Sequence, residues 1–112
     1  MTEVTYPKGA IQSVDQVWFG RRLWDVVKSN GFREIEEVTV TRGPVTSECF
    51  DSLFRGYCIM GVFWVEFARD SAYGSQIGAA SLRDRNIGGH YNNNFLFATE
   101  EDALVFLGDD ND

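Results

Sequence analysis

The residues best equipped for chemistry lie in one short stretch, RDRNIGGHYNNNF, at residues 83–95. It holds the chain's single histidine, His90, followed by Tyr91, with Arg83 and Arg85 a few residues before them. Histidine is the side chain whose charge changes near neutral pH. Arginines bind carboxylates and other anions through charge-assisted hydrogen bonds. These four side chains therefore form the core of a candidate ligand-binding or partner-binding site.

Glu66 completes this candidate site, because it interrupts an apolar stretch where burial would raise its pKa. Each member also has an ordinary structural explanation. Glu66 could lie at the solvated end of its strand, and His90 has no second histidine or recognisable nucleophile beside it. We therefore predict no catalytic residue. Asn86 and the Gly88-Gly89 pair favour a turn that joins two antiparallel strands.

The motifs that would name a reaction, a metal or a cofactor are missing from the sequence. The chain has no phosphate-binding Gly-Lys-Ser/Thr loop and no Gly-x-Ser-x-Gly elbow. Cys49 and Cys58 lie among apolar residues, where cysteine acts as a small hydrophobe. With one histidine, they match no zinc-ligand spacing. We predict no metal and no cofactor, and the balance favours a non-enzymatic protein.

The elements that must position these residues belong to one predicted α+β domain over residues 1–108, followed by an acidic tail at residues 109–112. Two main helices are predicted, at residues 13–30 and 99–108, and a short one at 46–55. Strands are predicted around residues 4–6, 32–42, 57–68 and 94–98, with a buried helix as the alternative for residues 57–68. Residues 69–86 fit either a strand around 76–82 or a helix. This order predicts an antiparallel sheet of about four strands with two main helices on one face, ferredoxin-like or related.

The distribution of charge argues against nucleic-acid and membrane partners. Of the net charge of −7, −6 lies in residues 100–112, and no Lys or Arg follows Arg85. The helix and strand order resembles double-stranded-RNA-binding domains, but their last helix opens with lysines and this one opens with acids. The longest uncharged apolar run, residues 57–65, is too short to span a membrane. We expect a cytoplasmic protein that binds neither nucleic acid nor membrane.

Aromatic residues supply the remaining functional signal. On the predicted helix over residues 13–30, Trp18 and Trp24 fall on a second apolar face, roughly opposite the first. A surplus apolar face is typical of an interface. We predict a homo-oligomer that uses Trp18 and Trp24, with itself or another protein as partner.

The sequence is compatible with two functions. One is a small non-enzymatic protein-interaction domain that self-associates, and a phage or viral accessory protein would fit this description. The alternative is a small-molecule-binding protein or small enzyme, with a pocket near Glu66, Arg83, Arg85 and His90.

Overall fold

A single antiparallel sheet dominates the computed structural model, which describes residues 5–29, 31–46, 63–71, 74–87 and 92–108. Its strands are β1 (Arg22–Ser29), β2 (Phe32–Thr46), β3 (Phe63–Ser71), β4 (Gly74–Ser81) and β5 (Phe95–Phe97). They lie in the order β4-β3-β2-β1-β5. Within these ranges the other regular elements are one α-helix, α1 (Glu100–Leu107), and two 3-10 turns, Val14–Gln16 and Leu82–Arg85.

The prediction of a four-stranded sheet with two main helices is wrong. The segment predicted as the first helix forms the 3-10 turn Val14–Gln16 and then strand β1. The capping signal is real, since the Gln16 side chain accepts a hydrogen bond from the Ser13 amide, but it opens only this short turn. Strand β1 lies between β2 and β5, and both of its faces are largely buried. A strand covered on both faces is apolar at both alternations, and here that pattern imitates a helix with two apolar faces.

Other predicted elements are closer to the structure. The strand over residues 32–42 is confirmed as β2, which continues past Gly43 to Thr46 through two register shifts. The strand at residues 94–98 is confirmed as β5, the final helix as α1, and the strand alternative for residues 76–82 as β4. Residues 5–7 form no strand, and the predicted short helix falls almost entirely on residues 47–55, outside the described residues. The resulting run of antiparallel strands is not a ferredoxin-like arrangement.

One face of the sheet, the large core face, carries most of the buried apolar side chains. Strand residues at alternate positions pack there: Leu23, Val38, Val40, Val65, Phe67, Ala80 and Leu96. Ile11 and Val17 cover this core from the N-terminal segment, and Leu82 and Ile87 cover it from the segment after β4. Burying a side chain of this size contributes roughly 1.5–3 kcal/mol.

Helix α1 covers part of the opposite face, which we call the helix face. The Phe106 ring packs edge-on against Phe95, with ring centres 5.2 Å apart, and lies 5.5 Å from Phe97. At the helix C-terminus, Lys28 Nζ donates to the Phe106 carbonyl at 3.0 Å and Arg33 donates to the Leu107 carbonyl at 2.8 Å. Positive charge stabilises this end of a helix because its last carbonyls are unpaired. Two neighbouring strands supply that charge, since Lys28 and Arg33 are register partners.

The connection between β4 and β5 crosses the sheet, because these strands lie at opposite edges. The prediction that Asn86 and the Gly88-Gly89 pair turn one strand into an antiparallel neighbour is therefore wrong about the strands, because β4 and β5 are not paired. Gly88 and Gly89 themselves lie outside the described residues. We call the described residues of this connection, 82–87 and 92–94, the crossing segment. Their 3-10 turn contacts β3, β4 and β5. The turn that carries Arg83 and Arg85 therefore lies against the large core face, where Leu82 is packed.

Candidate functional site

The predicted polar site divides at the crossing segment. Arg83 and Arg85 lie in the 3-10 turn Leu82–Arg85, whose start is fixed by a hydrogen bond from the Arg83 amide to the Ser81 hydroxyl. His90 and Tyr91 lie outside the described residues. The position of the two arginines is therefore defined by the turn.

Glu66 lies on the helix face, away from Arg85. Its neighbours Val65 and Phe67 are fully buried on the large core face, so strand alternation directs Glu66 to the other side. There its carboxylate accepts a hydrogen bond of 2.9 Å from the Thr41 hydroxyl on β2. The sheet itself therefore separates Glu66 from Arg85.

Arg85 has a buried partner that the sequence did not reveal. Its Nε donates to Asp25 Oδ1 at 2.6 Å and one terminal nitrogen donates to Asp25 Oδ2 at 3.0 Å. The Asp25 side chain is only 3% exposed. Burial disfavours the charged form of Arg85, but the charges of Asp25, Asp84 and Glu36 and the hydrogen bonds to Asp25 raise its pKa above the ordinary value. Arg85 is therefore a fixed cation inside the fold.

A second arginine approaches the same carboxylate. One terminal nitrogen of Arg69 lies 3.8 Å from Asp25 Oδ2, and Arg69 Nε lies 3.4 Å from Glu36 Oε2. Gly78 makes room for it, because a Cβ at that position would lie 2.9 Å from Arg69 NH1. We call Asp25, Glu36, Arg69 and Arg85 the buried charge cluster. Its two acids and two bases balance each other, which suits a structural role better than capture of an ion.

Asn86 ties together the two ends of the segment that contains His90. It is fully buried in a left-handed conformation (φ 65°), and its amide donates to the Asn94 carbonyl at 2.7 Å and to Asn92 Oδ1 at 3.0 Å. Its own oxygen accepts from the Asn92 amide at 3.1 Å. The Tyr6 hydroxyl donates to the Asn86 carbonyl at 2.5 Å. The asparagines thus hold the base of this segment rather than offer groups to a ligand.

The most exposed aromatic side chains in the part of the chain that the structure describes form a turn just before β1. Trp18 is 53% exposed and Phe19 is 75% exposed. The Arg21 amide donates to the Trp18 carbonyl at 3.1 Å, and Gly20 between them has φ +87°, the positive value that the third residue of a type II turn needs. We call residues 18–21 the aromatic turn. Sequence reasoning missed Phe19, although Trp-Phe-Gly was a turn signal within the predicted helix.

Hydrogen bonds to the sheet hold the aromatic turn in place. The Gly20 amide donates to the Val40 carbonyl at 2.8 Å, and the Val40 amide donates to the Arg21 carbonyl at 2.9 Å. The Arg21 guanidinium lies 4.2 Å from the Trp18 ring centre and donates to the Gln16 carbonyl. The aromatic pair is therefore presented on a fixed backbone, which lowers the entropy lost when a partner binds.

Trp24 does not share the surface of Trp18. It is half-buried on the helix face and packs against the cluster around Phe95 and Phe97. In the sheet, Trp24 lies directly opposite Phe97 on β5. The Arg22 guanidinium lies 5.7 Å from its ring centre. The structure therefore assigns the predicted interface residues to two environments, and only Trp18 is largely accessible.

A groove runs beside helix α1, and we call it the helix groove. It has a volume of about 360 Å³ and is lined by Pro7, Lys8, Glu101, Asp102, Val105 and Phe106. Val105 is 71% exposed, while the Phe106 ring closes the floor against Phe95. Two carboxylates and one ammonium group stand around this apolar floor. The groove suits an apolar side chain accompanied by a positive charge.

The described residues hold no group of three or more side chains that could ligate a metal ion, and their helix is too short to cross a membrane. Cys49 and Cys58 lie outside those residues. The functional features of the described residues are therefore the buried charge cluster, the exposed aromatic turn and the helix groove, which has an apolar floor and two carboxylates beside it.

Comparison with known proteins gives one match. A family model described as Phage g100-like protein matches residues 11–109, which is most of the chain. No curated protein and no solved structure matches the chain significantly. The matched range includes the aromatic turn, the buried charge cluster and helix α1.

Proposed function

Because the chain belongs to the Phage g100-like protein family, we propose that it is a phage accessory protein that works by binding another protein. The aromatic turn is the observation that carries this proposal. Trp and Arg are among the residues that dominate binding energy at protein interfaces, and they occur here beside a phenylalanine. Trp18, Phe19 and Arg21 all belong to the four-residue aromatic turn, which is hydrogen-bonded to β2.

The balance between exposed and buried groups supports binding rather than catalysis. A catalytic acid or base must reach a substrate, and a perturbed charge in a cleft would mark it. Asp25 and Arg85 are instead buried against each other, and the carboxylate of Glu66 is bonded to Thr41. Phe19, by contrast, has most of its surface free for contact.

Self-association and a cytoplasmic location remain predictions from the sequence. Self-association is the simpler form of protein binding here, because one chain carries both an exposed aromatic turn and a groove. It also agrees with the preference of homo-oligomers for apolar interface cores.

A photo-crosslinking amino acid at Phe19 tests the proposal directly. The variant protein would be illuminated both pure and in extract from phage-infected cells, and mass spectrometry would identify the product. The matched control is the same substitution at Ile77, an apolar residue on β4 that is 68% exposed. We expect one defined protein product from position 19 and none from position 77. Equal labelling from both positions, or no product from position 19, would contradict the proposal.

A further inference from the structure

The aromatic turn and the helix groove both expose apolar side chains, and the charged residues beside them are of opposite sign. We propose that the turn of one copy inserts Phe19 into the helix groove of a second copy. This inference rests on the proposed function and names its partner. It commits to a second copy because this chain supplies both halves of the contact.

The apolar parts of the two surfaces match. Phe19 and Val105 are two of the most exposed apolar side chains in the described structure. The groove floor is formed by Phe106, whose ring is held by Phe95 and Phe97 and is therefore fixed before binding. An aromatic ring inserted beside Phe106 gains edge-on or offset contacts in addition to area burial.

The charges of the two surfaces also match. Arg21 and Arg22 accompany the aromatic pair, and the Arg22 side chain is 63% exposed with one long contact to Glu37 at 3.8 Å. The groove rim holds Glu101 and Asp102 against a single Lys8. The turn thus presents positive charge where the groove presents an excess of negative charge. Complementary charges fix the register of an interface and speed the encounter.

A two-fold dimer would use this contact twice. In such a dimer the turn of each copy meets the groove of the other, and the assembly closes without an unpaired turn. A turn-to-turn contact would instead place the arginines of two copies against each other. The helix groove is therefore a better binding site for the aromatic turn than a second aromatic turn would be.

Sedimentation analysis over a concentration series tests this pairing. We expect a reversible dimer for the wild-type protein, and dissociation constants raised at least about tenfold by Phe19→Ser and by Val105→Asp. The control Ile77→Ser removes an equally exposed apolar side chain elsewhere and should leave the dimer unchanged. Circular dichroism and urea unfolding of each variant show that the fold is kept.

Charge reversal at Arg22 and Glu101 tests whether the aromatic turn binds at the helix groove or elsewhere on the second copy. Arg22→Glu and Glu101→Arg should each weaken the dimer about tenfold, and the double variant should recover most of that loss because the pair is restored in reverse. Glu34→Arg, a charge reversal at another exposed acid, should not rescue Arg22→Glu. A double variant no tighter than either single one would overturn the groove assignment.

Two further outcomes would also overturn the inference. One is a wild-type protein that stays monomeric throughout the concentration series. The other is dissociation by Ile77→Ser with no effect of Phe19→Ser, which would assign the contact to the β4 edge. If position 19 nevertheless cross-links to a different phage protein, the proposed function stands and only the second copy is lost.

Discussion

The buried charge cluster and the aromatic turn use similar residue types in opposite ways. In the cluster, Arg85 is enclosed and makes two hydrogen bonds to a carboxylate that is also enclosed. In the turn, Arg21 lies over the exposed ring of Trp18 at the protein surface. Arg85 in the first environment holds the crossing segment onto the sheet, whereas Arg21 in the second supports an exposed aromatic ring.

This difference shows that surroundings, rather than residue type, decide the role. Removal of Arg85 leaves the buried Asp25 carboxylate without its two hydrogen bonds, and loss of the partner of a buried charge strongly destabilises a fold. Removal of an exposed side chain from the turn leaves no unpaired group behind. Variants of the two regions should therefore separate effects on stability from effects on binding.

The largest expected effect comes from Arg85→Met. This change leaves the buried Asp25 carboxylate without its two hydrogen bonds, and it should lower the free energy of unfolding by about 3–5 kcal/mol. Urea unfolding followed by circular dichroism measures it. The paired variant Asp25→Leu/Arg85→Met should regain part of the loss, because no unpaired charge remains. A loss below about 1 kcal/mol would show that the cluster does not hold the fold.

Asn86→Ala should give the next largest effect. It removes the side-chain amide that bonds Asn92 and Asn94, and alanine tolerates the left-handed φ of 65° less well than asparagine does. We expect a loss of about 2–3 kcal/mol in the free energy of unfolding. Asn86→Gly keeps the backbone conformation and should lose less. If alanine and glycine destabilise equally, backbone strain has no part in the effect.

A smaller effect is expected for Gly78→Ala. The new methyl group meets the end of the Arg69 side chain, which is flexible and can move away, so the loss should be about 1 kcal/mol or less. In an Arg69→Met background the same change should become neutral or stabilising, because Ala restricts the unfolded chain. A double-mutant cycle in urea measures this coupling. Identical effects in both backgrounds would show that the Arg69 side chain is not the reason for a glycine at position 78.

The smallest effect on stability is expected for Phe19→Ser, together with the largest effect on binding. An exposed substitution away from special structural features changes the free energy of unfolding by less than about 0.5 kcal/mol. The same variant should lose the Phe19-dependent association. A variant that unfolds easily would instead make Phe19 part of the fold, and the contrast between the two regions would disappear.

Much of the regular structure was open to prediction from local pattern. Strand β2 is rich in β-branched residues, and helix α1 begins after Thr99, whose hydroxyl accepts from the Asp102 amide. These signals act between residues close in sequence. Strand β1 was not predictable in the same way, because its burial on both faces depends on β2, β5 and the segments that cover the sheet.

The candidate site was harder to predict than the fold, because its contacts join distant parts of the chain. Arg85 stood out in the sequence, but its partner Asp25 lies sixty residues earlier in a strand that the pattern presented as a helix. Trp18 was identified as accessible surface. Phe19 was missed because only the bend at Gly20 turns it outward, and helical periodicity assigned it to the core.

The central claim is that a second copy covers the aromatic turn, and the fluorescence of Trp18 tests it most directly. A variant with Trp24 and Trp64 replaced by Phe leaves Trp18 as the single tryptophan. Its quenching by acrylamide should be strong in dilute solution and should fall as concentration rises, and Phe19→Ser should abolish that change. Quenching that stays equally strong while the protein associates would contradict the account.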